Sequence, residues 1–242
     1  LNKGTKTEVT EQLYRYNHNV RICHWINVVA FCYLVVSGVH IFLDFPELYW
    51  GKVGFRGYDA VFRLSDWGIS WDEAGAMGNR RWGRNYHFLF AWISVINGTI
   101  YVGWNLWNKY FHKNLFLGRN ELNWQSLKTD FVDHVRLRVS KGTSVGRYSG
   151  LQKISYLIVI FILSPFMILS GLAQMPAFTA ISPELIDLFG GRQTARTLHV
   201  ICMLWMILFL VVHVVEVFVA GAVNEIRSMI TGKYVVPKED VE

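Results

Sequence analysis

The sequence is poor in charged residues and in cysteine, and each shortage excludes a class of protein. Only 17% of its 242 residues are charged, whereas 52% are hydrophobic, which is too apolar for an ordinary soluble domain. Its three cysteines lie in or beside apolar runs and form neither a Cys-x-x-Cys-His motif nor a disulfide pattern. Covalent c-type haem attachment is therefore not expected. The first 20 residues are polar, so a cleavable signal peptide is not expected either.

Four apolar runs are long enough to cross a bilayer. They cover about 22–43, 86–107, 154–172 and 197–221. The sequence therefore predicts an all-α integral membrane protein, a four-helix bundle in which 1–242 form a single transmembrane domain. Pro165 lies inside the third run, where we expect it to kink the helix.

The basic residues are distributed unevenly between these runs. If the N-terminus is cytoplasmic, the segments 1–21, 108–153 and 222–242 hold two thirds of the 24 Lys and Arg residues. This bias follows the positive-inside rule, so we expect both termini in the cytoplasm. The net charge of +6 lies mainly in these segments, which indicates membrane lipid and no nucleic acid as its partner. His18, His112 and His134 fall in the same segments, and we expect them to be solvated.

The fourth run contains two histidines, His199 and His213, 14 residues apart. At 100° per residue their rings leave nearly the same face of one helix, and they are separated by roughly 21 Å along its axis. One histidine therefore lies near each edge of a hydrocarbon core about 30 Å thick. Ionisable groups in lipid are costly and mark functional sites, and imidazole is a common ligand of haem iron. The spacing favours two stacked haems.

Two further histidines lie at matching depths. His24 begins the first run on the predicted cytoplasmic side, level with His213, and His87 begins the second run on the outer side, level with His199. We predict two bis-histidine haem b groups, an inner one bound by His24 and His213 and an outer one bound by His87 and His199. His40, near the outer end of the first run, is either an interfacial residue or the outer ligand in place of His87.

An arginine precedes three of these histidines by three residues. Residues three apart share a helix face, so each guanidinium would lie one turn nearer the water than its imidazole. Haem propionates need cationic partners, and the arginine fork suits carboxylates; snorkelling at a helix end is the alternative explanation. We predict propionate contacts from Arg21, Arg84 and Arg196.

Small residues interrupt the first three runs. They permit close approach either of a neighbouring helix or of a flat macrocycle, and the sequence leaves both explanations open. These residues are Ser37, Gly38, Gly98, Gly103 and Gly171.

The start of the third run is polar and lies on the predicted cytoplasmic side. Tyr148, Ser149 and Gln152 offer hydrogen bonds to a quinone carbonyl, and Glu216, one turn after His213, offers a carboxylate that can accept a quinol proton. Helix capping and interfacial solvation explain each of these residues at least as well.

The outer segment 44–85 is long for a loop and rich in aromatic and basic residues. Loops of this length are usually functional, and Trp and Arg are enriched at protein interfaces. We expect an interfacial helix here and a surface that docks a periplasmic electron-transfer subunit; an aromatic belt at the lipid headgroups is the alternative. The residues concerned are Trp50, Trp67, Trp71, Trp82, Arg56, Arg63, Arg80 and Arg81.

These motifs together resemble the di-haem cytochrome b subunits of bacterial respiratory enzymes, such as the γ subunit of formate dehydrogenase, the cytochrome b of nickel–iron hydrogenase and the thiosulfate-reductase type. The resemblance covers about 20–225. It rests on Arg21-Ile-Cys-His24-Trp25, on Arg84-Asn-Tyr-His87-Phe and on the spacing of His199 and His213.

The resemblance implies an electron-transfer subunit of the bacterial inner membrane. Both haems would be bis-histidine, and menaquinone or ubiquinone would bind near the cytoplasmic-side haem. A periplasmic iron–sulfur or molybdenum subunit would dock at the outer haem. The segment from Tyr148 to Lys153 resembles the quinone segment of this family, with Ser149 where an Asn usually stands.

Two other functions fit parts of the pattern. A stand-alone quinol-dependent membrane oxidoreductase acting on superoxide or a ferric substrate would need no partner subunit. A transporter that uses its histidines as a proton relay would show no Soret band.

Overall fold

The computed structural model describes residues 10–118, 123–136 and 148–237. Within these residues the chain is mostly helical, and four helices are long and apolar enough to cross a membrane: His18–Asp44, Arg80–Trp107, Gly150–Leu172 and Arg192–Val219. The predicted all-α fold class and the four spans are confirmed. Each span begins four to six residues earlier than predicted, because a polar first turn is helical too but does not extend an apolar run.

Short elements connect the spans. In chain order the elements are β1 Thr10–Tyr14, α1 His18–Asp44, β2 Glu47–Leu48, β3 Phe62–Arg63, a 3-10 turn Leu64–Trp67, α2 Trp71–Met77, α3 Arg80–Trp107, α4 Tyr110–Asn114, α5 Trp124–Val135, α6 Gly150–Ile158, a π-helical turn Val159–Leu163, α7 Ser164–Leu172, α8 Pro176–Thr179, α9 Glu184–Leu188, α10 Arg192–Val219, α11 Ala222–Thr231 and β4 Lys233–Pro237.

The chain divides into two compact units. The first unit, which we call the terminal unit, comprises Leu1–His24, Tyr101–Leu157 and Leu210–Glu242. The second, which we call the central unit, comprises Trp25–Ile100 and Ile158–Phe209. The organisation of 1–242 as a single domain stays a prediction.

In the terminal unit, the first and last strands that the structure describes form a small sheet. β1 pairs with β4 in antiparallel register, with Thr10 opposite Pro237 and Tyr14 opposite Lys233. Directly after β1, Arg15 forms a bidentate ion pair with Glu225 of α11, at 2.8 and 2.9 Å. The sheet and this ion pair hold β1 and the β4–α11 segment close together. The cytoplasmic location of both termini stays a prediction.

In the central unit, the outer segment is tied to the start of α10. β2 pairs with β3, and the Thr197 hydroxyl donates to the Tyr49 carbonyl at 2.7 Å. The Gly51 amide donates to the Thr194 hydroxyl, also at 2.7 Å. The outer segment contains a helix, α2, whose first turn is closed by a reciprocal capping box between Ser70 and Glu73. Its position at the membrane interface stays a prediction.

The third span departs from α-helical geometry beside Pro165. The π-helical turn Val159–Leu163 separates α6 from α7, and Pro165 lies in the first turn of α7, where a missing backbone N–H is tolerated. The Cys202 thiol donates to the Leu163 carbonyl at 3.5 Å. The helix is thus locally irregular just before this proline, and the expected kink stays a prediction.

Candidate functional site

The predicted outer ligands face each other in the central unit. The rings of His87 and His199 have centroids 6.2 Å apart and planes inclined at 63°. Two imidazoles on one metal ion have bonds of about 2.0 Å to it, and with roughly 1.1 Å from nitrogen to ring centroid their centroids lie about 6.2 Å apart. The spacing of these rings therefore fits one iron between them.

The predicted inner ligands face each other in the terminal unit in the same way. The rings of His24 and His213 have centroids 6.4 Å apart and planes inclined at 67°. Both pairings derived from helix depth thus correspond to facing rings at a spacing that suits axial ligation. Their role as haem ligands stays a prediction.

His40 has a different environment. Its ring packs edge-on against Trp82 with centroids 5.2 Å apart, and its buried Nδ1 has no hydrogen-bond partner among the residues that the structure describes. The ring that faces His199 belongs to His87, which favours His87 over His40 as the outer ligand.

Two serine–glycine pairs contact the outer histidines. The Ser37 hydroxyl lies 3.0 Å from Nδ1 of His87, and the Ser170 hydroxyl lies 2.9 Å from Nδ1 of His199. A Cβ added at the glycine after each serine would lie 3.4 Å from Cε1 of the same histidine. Ser170 was not singled out from the sequence, although the repeated Ser-Gly dipeptide was a signal that could have found it.

Gly98 and Gly103 contrast with these two glycines. Within the described residues nothing lies within 4 Å of the position of an added Cβ at either one. The structure thus places Gly38 and Gly171 against histidine rings but gives no support for such a contact at Gly98 or Gly103.

The three predicted propionate arginines occupy different surroundings. Arg84 is exposed and lies one turn before His87. It lines an open depression of about 410 Å³ together with Arg80, Arg81, Asn85 and Phe88. The three arginines make this depression cationic, so it fits an anionic group such as a propionate. Arg21 donates to the Ile230 carbonyl and lies 2.6 Å from Nδ1 of His18.

Arg196 is engaged within the protein. Its guanidinium donates to the Glu47 carbonyl at 2.6 Å and to the Phe45 carbonyl. It also packs 4.8 Å from the centroid of the Phe45 ring. Arg196 therefore fastens the outer segment to α10, and its contact with a propionate stays a prediction.

The predicted quinone residues lie together in the terminal unit, and two of them cap a helix. The Ser149 hydroxyl accepts from the Gln152 amide at 3.3 Å, and the Gln152 side chain accepts from the Ser149 amide at 3.1 Å. These reciprocal bonds close the first turn of α6. The side-chain amide of Gln152 also donates to the Glu216 carboxylate at 3.3 Å, so Gln152 joins the two helices that carry the cluster.

His134 was expected to be solvated, and this prediction is wrong. Its Nε2 lies 3.1 Å from the Glu216 carboxylate, and only 17% of its side chain is exposed. Its Nδ1 lies 2.6 Å from the Asp130 carbonyl, within α5. Tertiary packing of the amphipathic helix α5 buries this ring, which charge counting along the segment could not reveal.

Tyrosines lie between His213 and the polar cluster formed by Ser149, Gln152, Glu216 and His134. The Tyr156 ring lies 6.3 Å from that of His213 and 5.2 Å from that of Tyr148. The Tyr148 hydroxyl donates to the Tyr16 hydroxyl at 3.2 Å. Burial raises the pKa of Tyr148 well above its ordinary value, so this hydroxyl keeps its proton and acts as a donor.

Comparison with known proteins places these features in a family. A family model described as prokaryotic cytochrome b561 matches residues 15–232. The putative protein-methionine-sulfoxide reductase subunit YedZ1 of Azospira oryzae is 28% identical over 203 residues, which cover 82% of this chain and 87% of that protein. The probable Ni/Fe-hydrogenase B-type cytochrome subunit of Cupriavidus necator is 25% identical over 231 residues, which cover 90% and 85%. Comparison with solved structures gives no match.

Proposed function

Because this chain belongs to the prokaryotic cytochrome b561 family, whose members carry electrons on haem b in the bacterial inner membrane, we propose that it is a di-haem subunit. It exchanges electrons between the quinone pool and a periplasmic redox enzyme. The observation that carries this proposal is the presence of two facing histidine pairs at 6.2 and 6.4 Å. A histidine proton relay would have no need of two such pairs at the spacing of one metal ion.

In this proposal the two histidine pairs would hold the haems, and neighbouring polar residues would contact the haem propionates and exchange protons with the quinone. Haem iron, when bound, accepts and donates one electron at a time. His87 and His199 would hold the outer haem, and the exposed guanidinium of Arg84 would offer a partner for a propionate. His24 and His213 would hold the inner haem.

The cluster around Glu216 supports a quinone site beside the inner pair. Gln152 donates to Glu216, and His134 contacts the other carboxylate oxygen. In this proposal Gln152 hydrogen-bonds a quinone oxygen, and the carboxylate takes the proton that a quinol releases when it is oxidised. The quinone is menaquinone or ubiquinone, which share the carbonyl chemistry that these residues recognise.

The partner is proposed to be a periplasmic iron–sulfur or molybdenum-enzyme subunit. The relatives named above are described as a putative methionine-sulfoxide reductase subunit and a probable hydrogenase cytochrome subunit, which supports an enzyme partner for this chain. Aromatic side chains of the outer segment are more than half exposed, among them Trp50 at 51%, Phe55 at 53% and Trp67 at 76%. Exposed aromatic surface outside the spans is typical of a docking site.

Quinone binding is tested by the kinetics of haem reduction. Replacing Ser149 and Gln152 together with leucine should slow haem reduction by added quinol about 10-fold or more, because the hydrogen bonds that orient the quinone are lost. The dithionite-reduced spectrum should stay unchanged. Stopped-flow absorbance of purified protein measures the rate.

The control is Gln125→Leu, the same substitution at an exposed position of α5, which should leave the rate unchanged. If the double variant reduces its haems as fast as the parent, Ser149 and Gln152 are confined to capping α6, and the quinone site lies elsewhere.

Docking is tested by crosslinking in native membranes. Cysteines introduced at Arg56 and Asp72, both exposed in the outer segment, should capture a redox subunit because they border the proposed surface. A cysteine at Glu184, exposed in the shorter outer segment, serves as the control, and the parent chain with its exposed Cys32 gives the background.

Capture from Glu184 alone would place the partner on the shorter segment. If no position captures a subunit and a small molecule suffices to reoxidise the outer haem, the stand-alone oxidoreductase becomes the better explanation.

A further inference from the structure

Each of the four spans contributes one polar side chain to the outer histidine site in the central unit. His87 comes from α3 and His199 from α10, while Ser37 comes from α1 and Ser170 from α7. Both serines are completely buried. A buried hydroxyl must satisfy its hydrogen-bonding capacity within the protein, so its partners reveal its role.

The serine protons are directed at backbone carbonyls. The Ser37 hydroxyl donates to the Tyr33 carbonyl at 2.5 Å, and the Ser170 hydroxyl donates to the Met167 carbonyl at 3.1 Å. A hydroxyl has a single proton to donate. With that proton on a carbonyl, each serine oxygen is free to accept from Nδ1–H of its histidine. His87 and His199 also hydrogen-bond the backbone at Leu34 and Met167, which favours the same protonation of Nδ1.

This arrangement fixes the state of the histidines. An imidazole that is protonated on Nδ1 presents the lone pair of Nε2 on the other side of its ring, which is the form that binds a metal ion. The glycine after each serine lies beside the ring edge, where an added Cβ would make an ordinary van der Waals contact with Cε1 at 3.4 Å. The same Ser-Gly dipeptide thus contacts each histidine, with the serine bonded to its Nδ1.

We propose that Ser37 and Ser170 are positioning residues that hold the tautomer and the ring plane of the two outer axial histidines and thereby set the redox potential of the outer haem. The proposal rests on the proposed function, because it requires a haem between these rings. A hydrogen bond from Nδ1–H to an acceptor makes an imidazole a stronger ligand. The serines therefore favour the ferric state of the outer haem.

The ring planes give a second consequence. They are inclined at 63°, nearer to perpendicular than to parallel. Crossed axial imidazoles give ferric low-spin haem a strongly anisotropic EPR signal, whereas parallel ones give a rhombic signal. An imidazole released from its serine can rotate, so the EPR signal reports the positioning role directly.

The experiment compares Ser37→Ala, Ser170→Ala and the double variant with the full-length parent in detergent. We expect the midpoint potential of the outer haem to rise and its EPR anisotropy to change. Outer-haem retention should weaken about 10- to 100-fold. The inner haem, assigned with the His24 and His213 variants described in the Discussion, should keep its potential and serves as an internal measure of folding.

Two further variants make the result decisive. The variants Ser37→Thr and Ser170→Thr keep the hydroxyl and should restore the midpoint potential and EPR signal of the parent. Ser155→Ala removes a third-span serine whose hydroxyl also donates to a helix carbonyl, that of Leu151 at 3.0 Å, and it should change neither haem.

The outcomes separate this proposal from the proposed function. If the parent binds two haems and the alanine variants leave the outer potential and EPR signal unchanged, the serines do not position the histidines and the proposed function stands. If threonine fails to restore what alanine changes, the effect is one of packing and the proposal is overturned. If the parent binds no haem in the outer site, the proposed function itself fails.

Discussion

Replacement of His213 with alanine is expected to remove the inner haem and leave the outer one. The ring of His213 faces that of His24, with centroids 6.4 Å apart. A haem whose iron loses one of its two histidine ligands would bind far more weakly. A pyridine haemochrome assay per mole of protein should therefore fall from two haems to one.

The pairing predicts which variants resemble each other. His24→Ala, His213→Ala and the double variant should give the same residual spectrum and the same single midpoint potential, because all three lose one and the same haem. His24→Ala combined with His199→Ala should lose both haems. His112→Ala, at an exposed position, is the matched control and should retain two haems. A residual haem that differs between His24→Ala and His213→Ala would contradict the pairing.

Replacement of Arg15 with alanine is expected to destabilise the terminal unit strongly. Arg15 and Glu225 form a bidentate pair in which each side chain is only 14% exposed. Removing one partner of a buried ion pair leaves the other charge uncompensated, at a cost of about 3 kcal/mol. The guanidinium also packs over the rings of Tyr16 and Tyr234 at 5.0 and 4.9 Å, contacts that alanine cannot make.

The free energy of unfolding is measured by denaturant titration in detergent, with circular dichroism as the signal. Lys52→Ala is the control, since Lys52 and Asp187 lie 3.4 Å apart but are 75% and 71% exposed, and such surface pairs contribute about 1 kcal/mol or less. Arg15→Lys should lie between the two because lysine keeps the charge and loses the bidentate fork. Equal stability of Arg15→Ala and Lys52→Ala would show that the buried pair is not needed.

The sequence by itself determined the class of the protein and the pairing of its histidines. Long apolar runs specify membrane spans, because a bilayer of fixed thickness requires a fixed length of helix. The helical period then assigns a depth and a face to each histidine, so His24 could be matched with His213, and His87 with His199. These properties depend only on spacing along the chain.

The tertiary structure decided which polar group satisfies which. Ser170 bonds His199, His134 bonds Glu216, and Arg196 bonds the carbonyls of the outer segment. Each of these contacts joins residues at least 29 positions apart in the chain. A buried hydroxyl, imidazole or guanidinium takes the nearest partner that packing offers, and that partner comes from another helix or loop whose position no local period encodes.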